Sequence, residues 1–235
     1  MIVAIHQPSY FPWLGLLHKI YASDLFIVLN QVQLSDSAYQ HRNLFLTNNG
    51  VQKFLTIPFN RDHYRDKRLQ DLRIANQDWV AKHRNFLVNN YGSHPFFGEV
   101  YPRILPFFEL DESLLFDTIL LSMKICIQLF DIKTEIKLQS EIPIKNDLRR
   151  EELVEGLVVA VGASVYLSGD GAKNYLTKGS FKNGAHIQFD KFAHPVYLQK
   201  HTKEFVAGLS CLDLLFNVGI EQSRILMQNI SPENI

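Results

Sequence analysis

The chain has 235 residues, 46% of them hydrophobic and 20% charged, and its 24 Lys and Arg balance 24 Asp and Glu to a formal net charge of +0. That much apolar material supports a packed core and excludes an intrinsically disordered chain. The even balance lacks the basic excess from which nucleic-acid and anionic-membrane binders draw affinity, so neither nucleic acid nor a membrane surface is expected as a partner.

The chain opens on a short β-branched run, IVAI at residues 2–5, which predicts a central parallel strand. HQPSYFPWLG follows, punctuated by Pro8, Pro12 and Gly15; residues 16–22 suit a short helix and LFIVL at 25–29 a second buried strand. Such a strand–helix–strand opening implies an open, mostly parallel sheet with helices on both faces. VQLSDSAYQHRN is polar and predicts a loop. LFLTNNGVQKFLTIPF splits into two apolar runs at Asn48-Asn49-Gly50, a type I′ hairpin signal, and Arg61 to Arg73 is charge-rich and solvated.

From Asn76 the period is helical, with Trp79, Val80, His83, Phe86, Leu87 and Tyr91 on one face. SHPFF predicts a further helix capped by Ser93 and interrupted at Pro102 and Pro106, and Asp111 opens a long apolar helix. This makes a helical layer over about 76–131, within one α/β domain spanning 1–235. Mixed character then returns. KTEIKLQS, SVYLSG and AHIQFDKF predict strands, NDLRREELVEGLVVAVGA a helix capped by Asn146 or Asp147, and LSCLDLLFNVG a helix capped by Ser210 with Asp213 in the capping-box position.

The N-terminus lacks a basic, long apolar signal segment, and no run reaches the ~18 apolar residues of a membrane span, so a cytoplasmic protein is expected. Cys126 and Cys211 lie in apolar runs and are expected reduced and buried. No histidine pattern has metal-ligand spacing, and no nucleophile motif is present.

Three stretches could carry chemistry. The first is His6, Gln7, Tyr10, Trp13, Gly15 and Lys19, directly after the first strand, where ligands of open α/β sheets gather. His6 can act as acid or base, Tyr10 and Trp13 can form a stacking wall, Gly15 admits a ligand to a helix start, and Lys19 can meet an anion. The second is the loop after SVYLSG, with Gly169, Asp170, Gly171, Lys173 and Asn174, whose glycine spacing fits neither a P-loop nor a dinucleotide fingerprint. The third is Arg42 with Asn43, Arg42 being able to clamp a phosphate or carboxylate. The same residues also suit core aromatics, a tight turn and a solvated arginine, and both readings stay open on spacing alone. The functional reading places the loops His6–Gly15 and Gly169–Asn174 in one crevice with Arg42 at its rim.

IHQPSYFPWLGLLHKI, RNLFLTNNGVQKFLTIPF and YLSGDGAKNYL, with GAHIQFDKFAHPVYLQ and LSCLDLLFNVG, together resemble the WbqC-like protein family across nearly the whole chain. The positions matching its signature are His6, Gln7, Pro8, Trp13, Gly15, Lys19, Arg42, Asn43, Gly169, Gly171, Asp213 and Asn217. The resemblance implies a place in bacterial surface-polysaccharide (O-antigen) biosynthesis. On that basis the expected protein is a transferase that modifies a nucleotide- or lipid-linked amino sugar by acyl or aminoacyl transfer. His6 would be catalytic, and the partner a small-molecule substrate. A non-catalytic binding or assembly role in the same machinery is the alternative. The opening unit is also similar to HIGH-motif nucleotidyltransferases, but Leu14-Gly15-Leu16 stands where their histidine would be, so that mechanism is not implied.

Overall fold

The computed structural model describes residues 1–35, 39–145, 147–169, 179–182 and 184–230. Asp170, Gly171, Lys173 and Asn174 therefore lie outside the described residues, as does Asn146. Strands β1 (Ile2–His6), β2 (Leu25–Val28), β5 (Glu135–Leu138), β6 (Val165–Ser168) and β7 (His186–Phe189) form a sheet in the order β5-β2-β1-β6-β7, and every pairing is parallel. This is the open α/β fold expected from the sequence.

Alternate side chains of the central strands enter two different cores, which explains why IVAI and LFIV are continuously apolar. Val3, Ile5, Leu25 and Ile27 pack with Leu153, Leu157 and Val158 of α5 (Arg150–Ala160). Ala4, Phe26 and Val28 face the other way. They meet α1 (Leu14–Tyr21), the middle block α2 (Asp78–Tyr91), α3 (Phe97–Ile104) and α4 (Leu115–Leu129), and the later helix α6 (Cys211–Val218). α7 (Ile220–Gln228) closes the described chain. From β1 the chain steps through α1 to β2 and outward to β5; it then crosses back through α5 to β6 and β7. The direction of winding reverses between β1 and β6.

β3 (Arg42–Leu46) and β4 (Gln52–Thr56) form the expected hairpin as a separate antiparallel sheet, with Phe45 and Leu55 in the larger core. Its turn differs from the type I′ expectation. Gly50 has φ 77° while neither Asn48 nor Asn49 has positive φ, and Gly50 N–H donates to Thr47 O while Thr47 N–H donates to Val51 O. This is a type I turn closed by a left-handed glycine, and the Thr47 hydroxyl, bonded to Val51, stabilises the longer loop. A Cβ on Gly50 would lie 2.5 Å from the carbonyl oxygen of His201. Gly50→Ala is therefore expected to cost about 2–3 kcal/mol in urea unfolding. Gly208→Ala, at the same φ of 77° with nothing within 4 Å, should cost only about 1 kcal/mol. Equal losses at the two positions would show that the His201 segment does not press on the turn.

Several helix starts depart from the sequence reading. Ser93 does not cap α3; its hydroxyl and carbonyl accept from Lys200 Nζ, and the helix begins at Phe97 without a side-chain cap. α4 starts at Leu115 rather than Asp111, because the Glu112 carboxylate accepts from the Ser113 and Leu114 N–H groups and fixes the turn before it. Asp147 does not cap α5, which starts after Arg149. Ser210 caps α6 as expected, accepting from Leu212 N–H, but Asp213 does not complete a capping box. Ser210 N–H donates to Leu44 O, and the Asp213 carboxylate turns inward to accept from Tyr91, Tyr197 and Gln199.

Cys126 and Cys211 are free and buried. Burial pushes the Cys126 thiol well up, and the neighbouring Cys211 thiol pushes it the same way. Among the described residues no helix is long and apolar enough to cross a membrane.

Candidate functional site

The winding reverses between β1 and β6, and ligands of open α/β sheets bind outside the carboxyl edge at such a point. A cavity of about 290 Å³ lies there, lined by His6, Trp13, Gly15, Leu16, Lys19, Gly169, Asp190 and Phe192. β1 supplies His6, β6 is followed by Gly169, β7 is followed by Asp190 and Phe192, Trp13 stands at the N-cap of α1, and α1 supplies Gly15, Leu16 and Lys19.

The loop from Pro8 to Trp13 is held from several sides. Phe11 has φ 36°, a strained value for a non-glycine residue. Asn43 Nδ2 donates to the carbonyls of both Tyr10 (3.1 Å) and Phe11 (2.7 Å). The Ser210 hydroxyl donates to Phe11 O, and Phe11 N–H donates to the Ser122 hydroxyl. Tyr10 N–H donates to Gln40 O, and Cys211 N–H to Pro12 O. The chain reversal at Phe11 drives the Tyr10 and Phe11 rings into an aromatic core with Trp79, Phe107 and Phe108. It leaves the Trp13 indole outside, 39% exposed, edge-on to Phe192 at 5.3 Å. The indole lies over Gly15, where a Cβ would come within 2.2 Å of Trp13 Cη2, so glycine is needed for the ring to close this wall.

Lys19 is buried, and its Nζ donates to Ile5 O at 3.3 Å. Burial lowers its pKa to about 8, against a raising influence from the Asp190 carboxylate. Asp190 is held by His18, whose Nδ1 lies 2.9 Å from Oδ1, while His18 Nε2 faces Ile230 O. The His6 ring borders the cavity and meets water there. The surrounding protein mass and then the Lys19 ammonium nevertheless hold its pKa down at about 3, against a raising bond between Nδ1 and Gln7 O. Near neutral pH the cavity thus presents an uncharged imidazole beside a poorly solvated cation. That pair can hold an anionic group at Lys19 and offer His6 as a proton acceptor.

Of the residues singled out from sequence, His6, Trp13, Gly15, Lys19 and Gly169 come together in this cavity. Gln7 does not line it; its amide donates to Gln33 O and ties the β1 loop to the β2 loop. Tyr10 is fully buried with its hydroxyl 2.9 Å from His83 Nδ1, a core position rather than the stacking wall expected of it. Asn43 is fully buried and serves as the strap just described. Arg42 sits outside the cavity wall, its guanidinium 4.5 Å from the Phe54 ring centre, so it does not form the expected rim. The cross-strand register brings these two within diagonal reach, and stacking on the ring takes the side chain along the hairpin. Sequence reasoning missed His18, Asp190 and Phe192. The signal for the last two was their place just after a strand, in FDKF, the same rule that selected Gly169. Among the described residues no group of three or more His, Cys, Asp and Glu side chains could hold a metal ion.

A model of the WbqC-like protein family matches residues 7–225. The chain is also similar to "Uncharacterized protein Rv1507c" of Mycobacterium tuberculosis (strain ATCC 25618 / H37Rv), 27% identical over 223 residues, which is 93% of this chain and 94% of that protein. No solved structure matches.

Proposed function

The chain belongs to the WbqC-like protein family, and from that membership and the make-up of the cavity we propose that it is a cytoplasmic transferase of bacterial surface-polysaccharide biosynthesis. Its substrate is a small molecule, a nucleotide- or lipid-linked amino sugar, and its reaction is acyl or aminoacyl transfer to the sugar amine. The observation that carries this reading is the juxtaposition of neutral His6 with buried Lys19 under the Trp13 indole in one 290 Å³ recess.

In the reaction the amine nitrogen attacks the carbonyl carbon of an activated acyl donor. The new C–N bond forms as the bond to the donor's leaving group breaks. The amine proton passes to His6 and from there to the leaving group. An anionic group seated at Lys19 offsets the charge that depresses His6, and so raises its basicity when substrate is bound. Trp13 supplies a flat apolar face for the ring of a sugar or acyl portion.

Screening nucleotide-linked amino sugars and acyl-CoA or aminoacyl donors by thermal shift tests this reading. A ligand at 100 times its Kd adds about 2.7 kcal/mol of apparent stability. Lys19→Met is expected to reduce that shift while leaving the ligand-free Tm equal or higher, because an apolar side chain replaces a desolvated charge. His6→Ala is expected to keep binding and to lose turnover by about 10²–10⁴-fold. Since Lys19 titrates near pH 8, binding of an anionic substrate should hold below that pH and weaken as pH rises through it. Wild-type turnover in His6→Ala, or undiminished binding in Lys19→Met, would sink the proposal.

A further inference from the structure

A second cavity, of about 510 Å³, opens on the same carboxyl edge of the sheet, over β2 and β5. Gln31 to Gln33, which follow β2, and Gln139, which follows β5, form part of its wall, and the start of α5 forms another. The Gln7-to-Gln33 bond joins the loop of the first cavity to the wall of the second. The two recesses are therefore successive openings along one sheet edge, whose strands lie about 4.8 Å apart.

The composition of the second cavity is distinct. Lys67, Arg68, Lys145, Arg149 and Arg150 line it, against one carboxylate among the described residues, Asp66. This concentration stands on a chain whose formal net charge is +0. Like charges gathered around a concave surface raise one another's energy and focus a positive potential into the recess, and a polyanion relieves both. Three arginines suit phosphate, because the planar guanidinium donates in pairs to two oxygens. The cavity is not polar throughout. Ile144, Leu148 and Leu153 form an apolar patch beside the cations, next to the buried Gln139 amide. A bare inorganic anion would leave that patch wet, whereas a phosphorylated molecule with a flat, partly apolar portion would cover it. The volume is within the few hundred Å³ of small-molecule and cofactor sites.

We propose that this cavity binds a nucleoside diphosphate, with the phosphates among Arg68, Lys145 and Arg150 and the base over Ile144, Leu148 and Leu153. The site stands independently of the transferase reading, because its residues are separate from His6, Trp13 and Lys19. In combination with that reading it assigns the nucleotide part of the substrate to the β2/β5 recess, leaving the sugar for the β1/β6 recess.

The test is isothermal titration of the full chain with UDP, ADP and inorganic pyrophosphate at 20 and 200 mM NaCl. At least one nucleoside diphosphate is expected to bind, more weakly at the higher salt and at least tenfold more tightly than pyrophosphate. Arg68→Gln/Lys145→Gln/Arg150→Gln should weaken that binding tenfold or more, and Leu148→Ser should weaken it several-fold without changing the charge of the recess. Lys19→Met should leave it within twofold. The three single glutamine variants repeat the measurement if the triple variant does not fold. Absence of binding at millimolar nucleotide, pyrophosphate binding as tightly as UDP and ADP, or affinity unchanged in the basic-residue variants would overturn the proposal. A loss in Lys19→Met matching that of the triple variant would also overturn it, by placing the nucleotide in the first cavity. Nucleoside diphosphate binding without any transferase activity would uphold this site while removing the proposed reaction.

Discussion

Asp213→Ala is expected to lower the free energy of unfolding by about 3–5 kcal/mol, read as a shift of the urea midpoint at unchanged slope. Asp213 is fully buried on α6. Its Oδ1 accepts from the Tyr91 hydroxyl at 3.1 Å, and its Oδ2 accepts from the Tyr197 hydroxyl at 2.8 Å and the Gln199 amide at 3.0 Å. Burial still raises its pKa above the usual carboxylate value, although the three donors and His194 pull it down. The group is therefore costly to hold and costly to remove. Alanine would strand the Tyr91 and Tyr197 hydroxyls and leave the Gln199 amide with Val206 O, in a place where water reaches at most the partly exposed Tyr197, and a buried donor without a partner costs about 1–3 kcal/mol. Asp213→Asn keeps the size and one acceptor, and should lose about 1–2 kcal/mol. The alanine variant should also free the segment around residues 197–199, since Asp213 is its link to α2. Faster proteolysis there, ahead of global unfolding, is the second readout. A loss below 1 kcal/mol for alanine would mean that the tyrosines repartner freely and that the network carries little.

Asn43→Ala is expected to cost about 2–4 kcal/mol and, in addition, to weaken ligand binding in the first cavity by tenfold or more. The two effects have one origin. Without the Asn43 amide, Tyr10 O loses its side-chain donor and Phe11 O is left with the Ser210 hydroxyl alone. The positive φ of Phe11 persists only while the surroundings over-determine it, at a cost of about 1–3 kcal/mol. Relaxation of Phe11 would turn the Trp13 indole away from Gly15 and open the wall that it closes. Asn43→Asp, which retains an acceptor but not the donors, should behave like alanine rather than like wild type. Binding unaffected in a folded Asn43→Ala protein would separate the strap from the site.

The parts of the molecule that were legible in the sequence are those whose physics is local. IVAI and LFIV announce buried parallel strands because each residue faces one core or the other. The stretch from His6 to Lys19 could be recognised because strand, loop and helix start are contiguous, so the rule about carboxyl ends applies without knowing the strand order. Gly169 was reachable by the same rule. Asp190 and Phe192 join the cavity only because β7 pairs with β6, a pairing that periodicity does not specify. Tyr10 and Trp13 look interchangeable as stacking aromatics; the single positive φ at Phe11 sends one inward and the other out. Asp213 sits at a capping-box position, yet its partners lie 122, 16 and 14 residues away in sequence, and only the packed structure shows where its carboxylate turns. The basic recess draws its cations from two separated stretches, 67–68 within the charge-rich Arg61–Arg73 segment and 145–150, and periodicity does not show that the two meet.

The place of β1 in the middle of the sheet has a kinetic consequence. Its partner on one side begins at residue 25, but Ile2 pairs with Val165 on the other, and Leu25 of β2 pairs with Glu135. Strand β1 thus waits for more than 160 further residues of chain before its second edge is covered. Closing so long a loop is entropically costly, and rates fall as contacts become more distant in sequence. Folding should therefore be slow and late in synthesis, with the bare edge of β1 exposed to other chains in the interval, the situation in which crowded nascent chains aggregate and chaperones intervene.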